Sequence, residues 1–408
     1  MAREADPSEA NMAPGWAIVL TAVAAIIISI LGFFGNLLTI MALPHSSRLR
    51  NAATWLVVNL AVAEGVFCIT ILPISAAHLL TLYLTGGRSL LNDTGCSVFV
   101  FLRYVNIQAE LLSIAAIAVN RCLLIAVPKW YPRLFSGPRT AGLIAGIWLV
   151  SAGLMLVPLL QVYGKFVYNE RTDECDFSDQ TQYGQTPRKL FLSLGFLLPC
   201  VVIIVSYSYI FYKARQSSAK VRATSSTGLL KKASTSSEPS RTGRPAEGLR
   251  SRDIRIARTI GVIFVAFLVC CTPVSVVHYL DATIHRPVLL LLLHPLYWAQ
   301  YCINIFIYVF MNKQYRDAYV NYISHWWPSF KEVSRRKFQW KEEATSGESR
   351  RQSRAATPNT VVKFNVRKMS KVSFSKNTSE PPATPLQGPT TPQLRGNTAT
   401  PDMADTRL

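Results

Sequence analysis

The chain has 408 residues, half of them apolar, and its 43 Lys and Arg against 23 Asp and Glu give a net charge of +20. A soluble enzyme would mix these residue types, whereas here they are segregated along the chain, which argues against a soluble globular domain. The cationic excess abuts apolar runs, so it fits attraction to anionic lipid and acidic partner surfaces and points away from nucleic acid.

In chain order, residues 1–14 form a short leader without the basic start, short apolar core and cleavage site of a secretory signal, so the first apolar run reads as an uncleaved anchor. Seven runs of membrane-spanning length follow at about 15–43, 52–84, 96–127, 138–163, 189–212, 253–280 and 287–311. An amphipathic segment, "NKQYRDAYVNYI", occupies 312–325. Most Lys and Arg fall in the loops after the first, third and fifth spans and in the tail, which the positive-inside rule makes cytoplasmic. The expectation is an all-α membrane protein: a seven-transmembrane helix bundle over 15–329 with a short amphipathic helix after the last span, multi-pass in the plasma membrane, N-terminus outside and C-terminus inside. The third inner loop, 213–252, and the tail, 330–408, are rich in Ser, Thr, Pro and basic residues and are expected to be disordered. Ser beside basic residues ("RRQS", "KKASTSS") and Thr-Pro at Thr357, Thr384, Thr391 and Thr400 offer sites for kinases.

Of eight cysteines, Cys68, Cys122, Cys200, Cys270, Cys271 and Cys302 lie inside spans and read as small apolar packing residues. Cys96 and Cys175 are the two on the expected oxidising side, and a disulfide between them is predicted. Polar residues inside spans are costly and therefore informative. Glu64 in "NLAVAE", Glu110 in "RYVNIQAELLS", Asn36 in "GNLL" and Asn304 in "NIFIY" stand at similar depth and are expected to converge.

"GFFGNLL", "NLAVAE", Cys96 followed by Arg121 in "NRC", Trp148, Pro199 and Tyr207, "CCTP" and "NIFIY" form an ordered set. Over roughly residues 15 to 325 this set resembles the rhodopsin-like, or class A, G-protein-coupled receptors. "NRCLLIAVPKWYPRLFS" and "MNKQYRDAY" are similar to the group containing the insect Moody and trapped-in-endoderm receptors, and also to the vertebrate medium-chain fatty-acid receptor. The resemblance implies a receptor that signals to heterotrimeric G proteins, with kinases and arrestin-like proteins acting on its tail, and a role in cell migration or epithelial barrier formation. It implies that Arg121 sits at the inner end of the third helix and pairs with Asp253 at the base of the sixth until that helix swings out. A cleft lined by Arg121, Tyr207 and Tyr308 would then receive the G-protein α-subunit. The alternative is that Arg121 only snorkels to lipid phosphate.

Departures from the family pattern matter as much. Asn120 stands where an acid usually precedes the arginine, Cys122 where Tyr is common, Cys271 where a Trp usually lies under the ligand pocket, and Ile305 where Pro usually follows the seventh-helix Asn. Pro295 offers a kink higher in that helix. The family normally has one Asp at the Glu64 position and a small polar residue at Glu110, with sodium between them. Two buried carboxylates cannot both be ionised without a cation, so Glu64 and Glu110 are expected to share a proton or hold a sodium ion beside Asn36 and Asn304. No other cofactor is expected. The bland alternative is a neutral hydrogen-bonded pair.

Arg103 matches the position where amine-sensing receptors place an Asp, which disfavours an amine. With His278, His294 and Cys271 it suggests a ligand pocket for an anionic, lipid-like or peptide ligand, unless Arg103 is bonded to Glu174 or Asp176 and the histidines only pack. The sequon at Asn92 is a glycosylation candidate close to the membrane, while that at Asn377 lies on the expected inner side. No metal-ligand cluster, nucleophile–base pair or phosphate loop appears at catalytic spacing, so the chain does not read as an enzyme. A proton- or ion-coupled transporter would show an inverted repeat, and none is evident. A receptor-shaped junctional or adhesion scaffold working through its tail remains the second reading.

Overall fold

A bilayer offers no water to backbone N–H and C=O groups, so long apolar runs must close their hydrogen bonds within helices. The computed structural model does this, and it describes residues 13–169, 174–178, 187–231, 244–280 and 287–329. Helix α1 is Gly15–His45, α2 is Ala52–Thr85, α3 is Asp93–Ala126 and α4 is Gly137–Leu159. Helix α5 runs through Pro187–Leu192, Ser193–Leu197 and Leu198–Lys231, α6 is Arg244–Leu280 and α7 is Pro287–Met311. All seven are long and apolar enough to cross a membrane, which gives the seven-span bundle expected from the sequence. The amphipathic helix follows as α8, Lys313–Trp326, and an antiparallel hairpin of β1, Phe166–Asn169, and β2, Glu174–Phe177, joins α4 to α5.

Caps set several boundaries. Asn51 accepts from the Thr54 N–H at 3.1 Å, Asn92 from the Gly95 N–H at 2.7 Å and Asn312 from the Gln314 N–H at 3.1 Å, each satisfying a donor the first helical turn leaves open. The Asn92 cap is why α3 starts at Asp93 and not at residue 96. At the other end of α2, Gly86 takes a left-handed φ of 69°, which ends the helix without Cβ strain. Two helices widen to π-type turns, at Phe67–Ile71 just before Pro73 and at Ser193–Leu197 just before Pro199. A proline ring clashes with the preceding turn and removes a donor, and a wide turn makes room for it.

Helices α2 and α3 are the most buried of the seven, while α4 and α5 present much of their surface outward. Leu149 at 73% exposure and Val205 at 62% belong to that outer face, which lipid covers. Helix α1 packs against α2 and α7 at Gly32, where a Cβ would stand 3.0 Å from the Tyr301 carbonyl oxygen. That close approach brings Asn36, one turn on, within 2.9 Å of the same carbonyl, to which its amide donates.

Helices α5 and α6 extend into the 213–252 segment expected to be disordered, as far as Lys231 and from Arg244. Too few apolar residues for a core does not forbid a helix. Lys, Arg, Ala, Gln and Leu between 213 and 231 are good helix formers with a single late Gly, and Pro245 sits in the first turn of α6, where proline is tolerated. The expectations for 1–12, for 232–243 and for the tail from 330 lie outside the described residues.

Candidate functional site

At the hairpin end of the bundle, the predicted Cys96–Cys175 disulfide ties the first turn of α3 to β2, and the other six cysteines are free. Pairing of Tyr168 with Cys175 and of Val167 with Asp176 fixes the hairpin over the helices. Two turns along α3 from Cys96, Arg103 Nη2 donates to the Cys175 carbonyl at 3.0 Å and lies 3.3 Å from Asp176 Oδ1. The same carboxylate oxygen accepts from Tyr104 Oη at 2.7 Å and from the Phe177 N–H at 2.8 Å. Glu174 Oε1 stands 3.6 Å from His294 Nε2, while His294 Nδ1 meets the Leu290 carbonyl at 2.9 Å. Arg103 is therefore bonded to an outer acid, and the anion-binding role that its position suggested is already taken by Asp176.

Beneath this polar layer lies a cavity of about 180 Å³. Its walls are mostly aromatic and aliphatic, among them Phe99, Phe177, Phe267, Val274 and Trp298, with Arg103 and His294 near the hairpin. Cys271, in place of a bulky ring, lines it together with Gln108 and Gln300. The Cys271 thiol donates to Gln300 Oε1 at 3.1 Å, and Gln300 Nε2 is buried without a hydrogen-bond partner among the described residues. The Gln108 amide occupies the space beside Gly195, so a side chain there would have to displace it. The His278 side chain lies outside the described residues.

Deeper in the bundle the polar residues expected to converge do so. Asn304 Nδ2 donates to Glu64 Oε1, Asn36 also reaches Glu64, and Glu110 faces Glu64 from α3 with Tyr301 beside it. Both carboxyl groups are buried at 1% exposure, and Glu110 Oε2 has no hydrogen-bond partner among the described residues. Tyr301 was not foreseen. It stacks on Phe67 at 3.9 Å between ring centroids and its hydroxyl meets that of Tyr297 at 3.1 Å, so a tyrosine pair links the cavity to the glutamates. Trp148 Nε1 donates to Asn59 Oδ1 at 2.9 Å and Asn59 Nδ2 to Ser113 Oγ at 2.8 Å, which clamps α4 to α2 and α3.

At the opposite end Arg121 is buried at 5% exposure, although a cation at a helix end could reach water. Its Nε has no hydrogen-bond partner among the described residues, and neither does the buried Tyr207 hydroxyl nearby. Tyr315, from α8, turns its hydroxyl toward Arg121 and Thr54, and its ring meets Tyr308 edge-on at 5.3 Å. Burial pushes the Tyr315 phenol above its ordinary range, so it stays protonated and able to donate. Asn120 Nδ2 donates to Tyr131 Oη at 3.1 Å, in the one-turn helix Tyr131–Leu134 that "PKWYP" forms. The burial of Arg121 argues against simple snorkelling to phosphate. Asp253 lies on α6, and its side chain is outside the described residues. Asn92, a glycosylation candidate, is exposed, with its Oδ1 occupied as the α3 cap.

Sequence reasoning had no route to Tyr315 or Gln300 as site residues. Tyr315 lies within a quoted motif but on a helix whose docking could not be read, and Gln300 looks like one polar residue in an apolar span.

The family model for the 7 transmembrane receptor (rhodopsin family) matches residues 35–308. The chain is 30% identical to the G-protein coupled receptor moody of Drosophila melanogaster, over 74% of this chain and 51% of that one. It is 30% identical to Protein trapped in endoderm-1 of the same fly, over 75% and 78%, and 27% identical to the rat melatonin receptor type 1B, over 79% and 83%. The chain thus spans about half the length of the Moody relative that it matches. Squid rhodopsin shares the fold, with a TM-score of 0.64 at 20% identity over 79% of this chain and 89% of that one.

Proposed function

The chain belongs to the rhodopsin family of seven-transmembrane receptors, and we propose that it converts occupation of the cavity beneath the hairpin into nucleotide exchange on a heterotrimeric G protein. The observation that carries this reading is the state of Arg121: a guanidinium buried at a helix end, its Nε without a partner among the described residues and no acid beside it on its own helix. Such a group is costly to keep and cheap to release, which suits a switch. The hairpin end faces outside, because its disulfide needs an oxidising compartment, and the basic "PKWYPRLFSGPR" at the other end faces the cytoplasm of a plasma-membrane protein.

In this reading a ligand that prefers one arrangement of the helices by a few kcal/mol shifts their equilibrium. Helix α6 moves out and opens a cleft lined by Arg121, Tyr207 and Tyr308 for the C-terminal helix of the G-protein α-subunit. Asp253 serves as the acid that Arg121 leaves, and Asn120, neutral, adds no second one. Phosphorylated Ser and Thr in the tail attract arrestin-like partners. The Glu64, Glu110, Asn36 and Asn304 set is oxygen-rich, and Glu110 Oε2 lacks a partner among the described residues, so these residues fit a sodium ion or a shared proton. A bound sodium ion there would balance one ionised carboxylate while the other keeps its proton, and would favour one helix arrangement over the other.

The test is ligand-free nucleotide exchange on purified G protein by the full-length chain in lipid nanodiscs. Arg121→Ala should lower the rate and Asp253→Ala should raise it. Equal rates in parent and both variants, with all three folded, would contradict the reading and favour a scaffold that acts through its tail.

A further inference from the structure

The charges around the cavity are already matched to one another. Arg103 is its cation, and the guanidinium is bound by Asp176 Oδ1 at 3.3 Å and the Cys175 carbonyl at 3.0 Å, over the rings of Phe99 and Tyr104. Asp176 in turn is fixed by the Tyr104 hydroxyl and by its own hairpin backbone. The second acid, Glu174, faces His294. Among the described residues, a ligand carboxylate would enter a layer that holds two acids against one arginine and would have to displace Asp176 to reach Arg103, leaving a buried charge uncompensated. A ligand ammonium would gain Glu174 but meet Arg103. Neither sign of charge completes the site.

The rest of the cavity asks for something different. Its walls are predominantly aromatic and aliphatic, and the polar groups lining its deeper part are uncharged: Gln108, Cys271 and Gln300. Gln300 is 4% exposed, its Oε1 takes the Cys271 thiol, and its Nε2 is enclosed without a partner among the described residues, between this cavity and the smaller void beside Glu110 and Asn304. A buried donor left open costs free energy until an acceptor reaches it, and a small turn of the amide toward the cavity would bring it one. From these observations, and resting on the reading of this cavity as the ligand site, we propose that it takes an uncharged and largely apolar ligand, a neutral single-chain amphiphile with a hydrogen-bond acceptor that meets the Gln300 amide. The hairpin charges then act as a lid of fixed pairs that rejects ionised molecules of similar shape, because an added charge would have to break a pair to find a partner.

The experiment compares dodecanoyl glycerol, dodecanoate and dodecylamine at equal concentration on the intact full-length chain in lipid nanodiscs, reading the thermal unfolding midpoint. Dodecanoyl glycerol should raise the midpoint by roughly three times as much as either ionised probe. Gln300→Leu should abolish that rise while leaving the ligand-free midpoint close to the parent's. In Asp176→Asn, with Arg103 released, dodecanoate should become the strongest of the three. If that variant does not fold, Arg103→Gln/Asp176→Asn should keep the response to dodecanoyl glycerol and gain none to dodecanoate. Dodecanoate or dodecylamine acting best on the parent, no response to any probe, or a response that survives Gln300→Leu would overturn the proposal. Nucleotide exchange is not read here, so a failed G-protein assay beside a positive thermal response would break the receptor reading and leave this one standing.

Discussion

At the hairpin end Arg103 has a carboxylate oxygen at 3.3 Å and a carbonyl at 3.0 Å, whereas Arg121, on the same helix, keeps Nε without a partner among the described residues. The two are 18 residues apart, which is about five turns, so they project from the same side of α3 about 27 Å apart. One helix thus carries two arginines with opposite treatment. Arg103 is fixed by a strand that is itself fixed by a disulfide; Arg121 is faced by the phenol of α8 and keeps its Nε without a partner among the described residues. A fixed charge suits a selective lid, and a releasable one suits a switch.

The sharpest way to break this contrast is to cut the disulfide. Cys96→Ser should cost about 2–4 kcal/mol of stability and remove the probe response of the cavity, while basal nucleotide exchange continues; both effects are read from unfolding curves and exchange rates on the same preparation. Loss of exchange together with the lid would mean that the two ends are not separable.

Next in size is Tyr315→Phe. The ring keeps its contact with Tyr308 and only the hydroxyl that faces Arg121 and Thr54 is lost, an interaction worth about 1 kcal/mol. Ligand-free exchange should rise roughly fivefold, and the thermal response to cavity probes should stay at the parent value. Glu110→Ser addresses the layer between the ends. It should abolish any sodium dependence of exchange, measured as rate against added sodium at constant ionic strength, and identical sodium curves in variant and parent would remove the ion from the account. Smallest is Asn120→Asp, which places a carboxylate beside Arg121 where both side chains are buried. Desolvation of the new charge offsets much of the attraction, so basal exchange should fall only by roughly twofold.

Much of the fold was legible because apolar runs of bilayer length have one backbone solution, and the cysteine pair because only two cysteines were expected on an oxidising side. The converging polar set Asn36, Glu64, Glu110 and Asn304 was legible for a related reason: polar groups stranded at one depth have to satisfy one another. Pairing preferences were harder. Arg103 read equally as an open anion site or as a partner of the hairpin acids, and only the register of β2, which puts Asp176 over α3, separates the two. Tyr315 was hidden because docking of an amphipathic helix depends on tertiary contacts that its own periodicity does not encode. The helical reach of α5 to Lys231 was missed because absence of a core was taken as absence of a helix, and those are different properties.

The central claim is that binding and coupling sit at opposite ends of α3 and can be broken separately. The direct test reads both on one preparation: thermal response to a cavity probe and G-protein nucleotide exchange, for parent and Arg121→Ala. The account predicts an unchanged probe response in the variant with exchange lost in the presence and absence of probe. Equal exchange by the two proteins, or a probe response lost along with exchange, would contradict it.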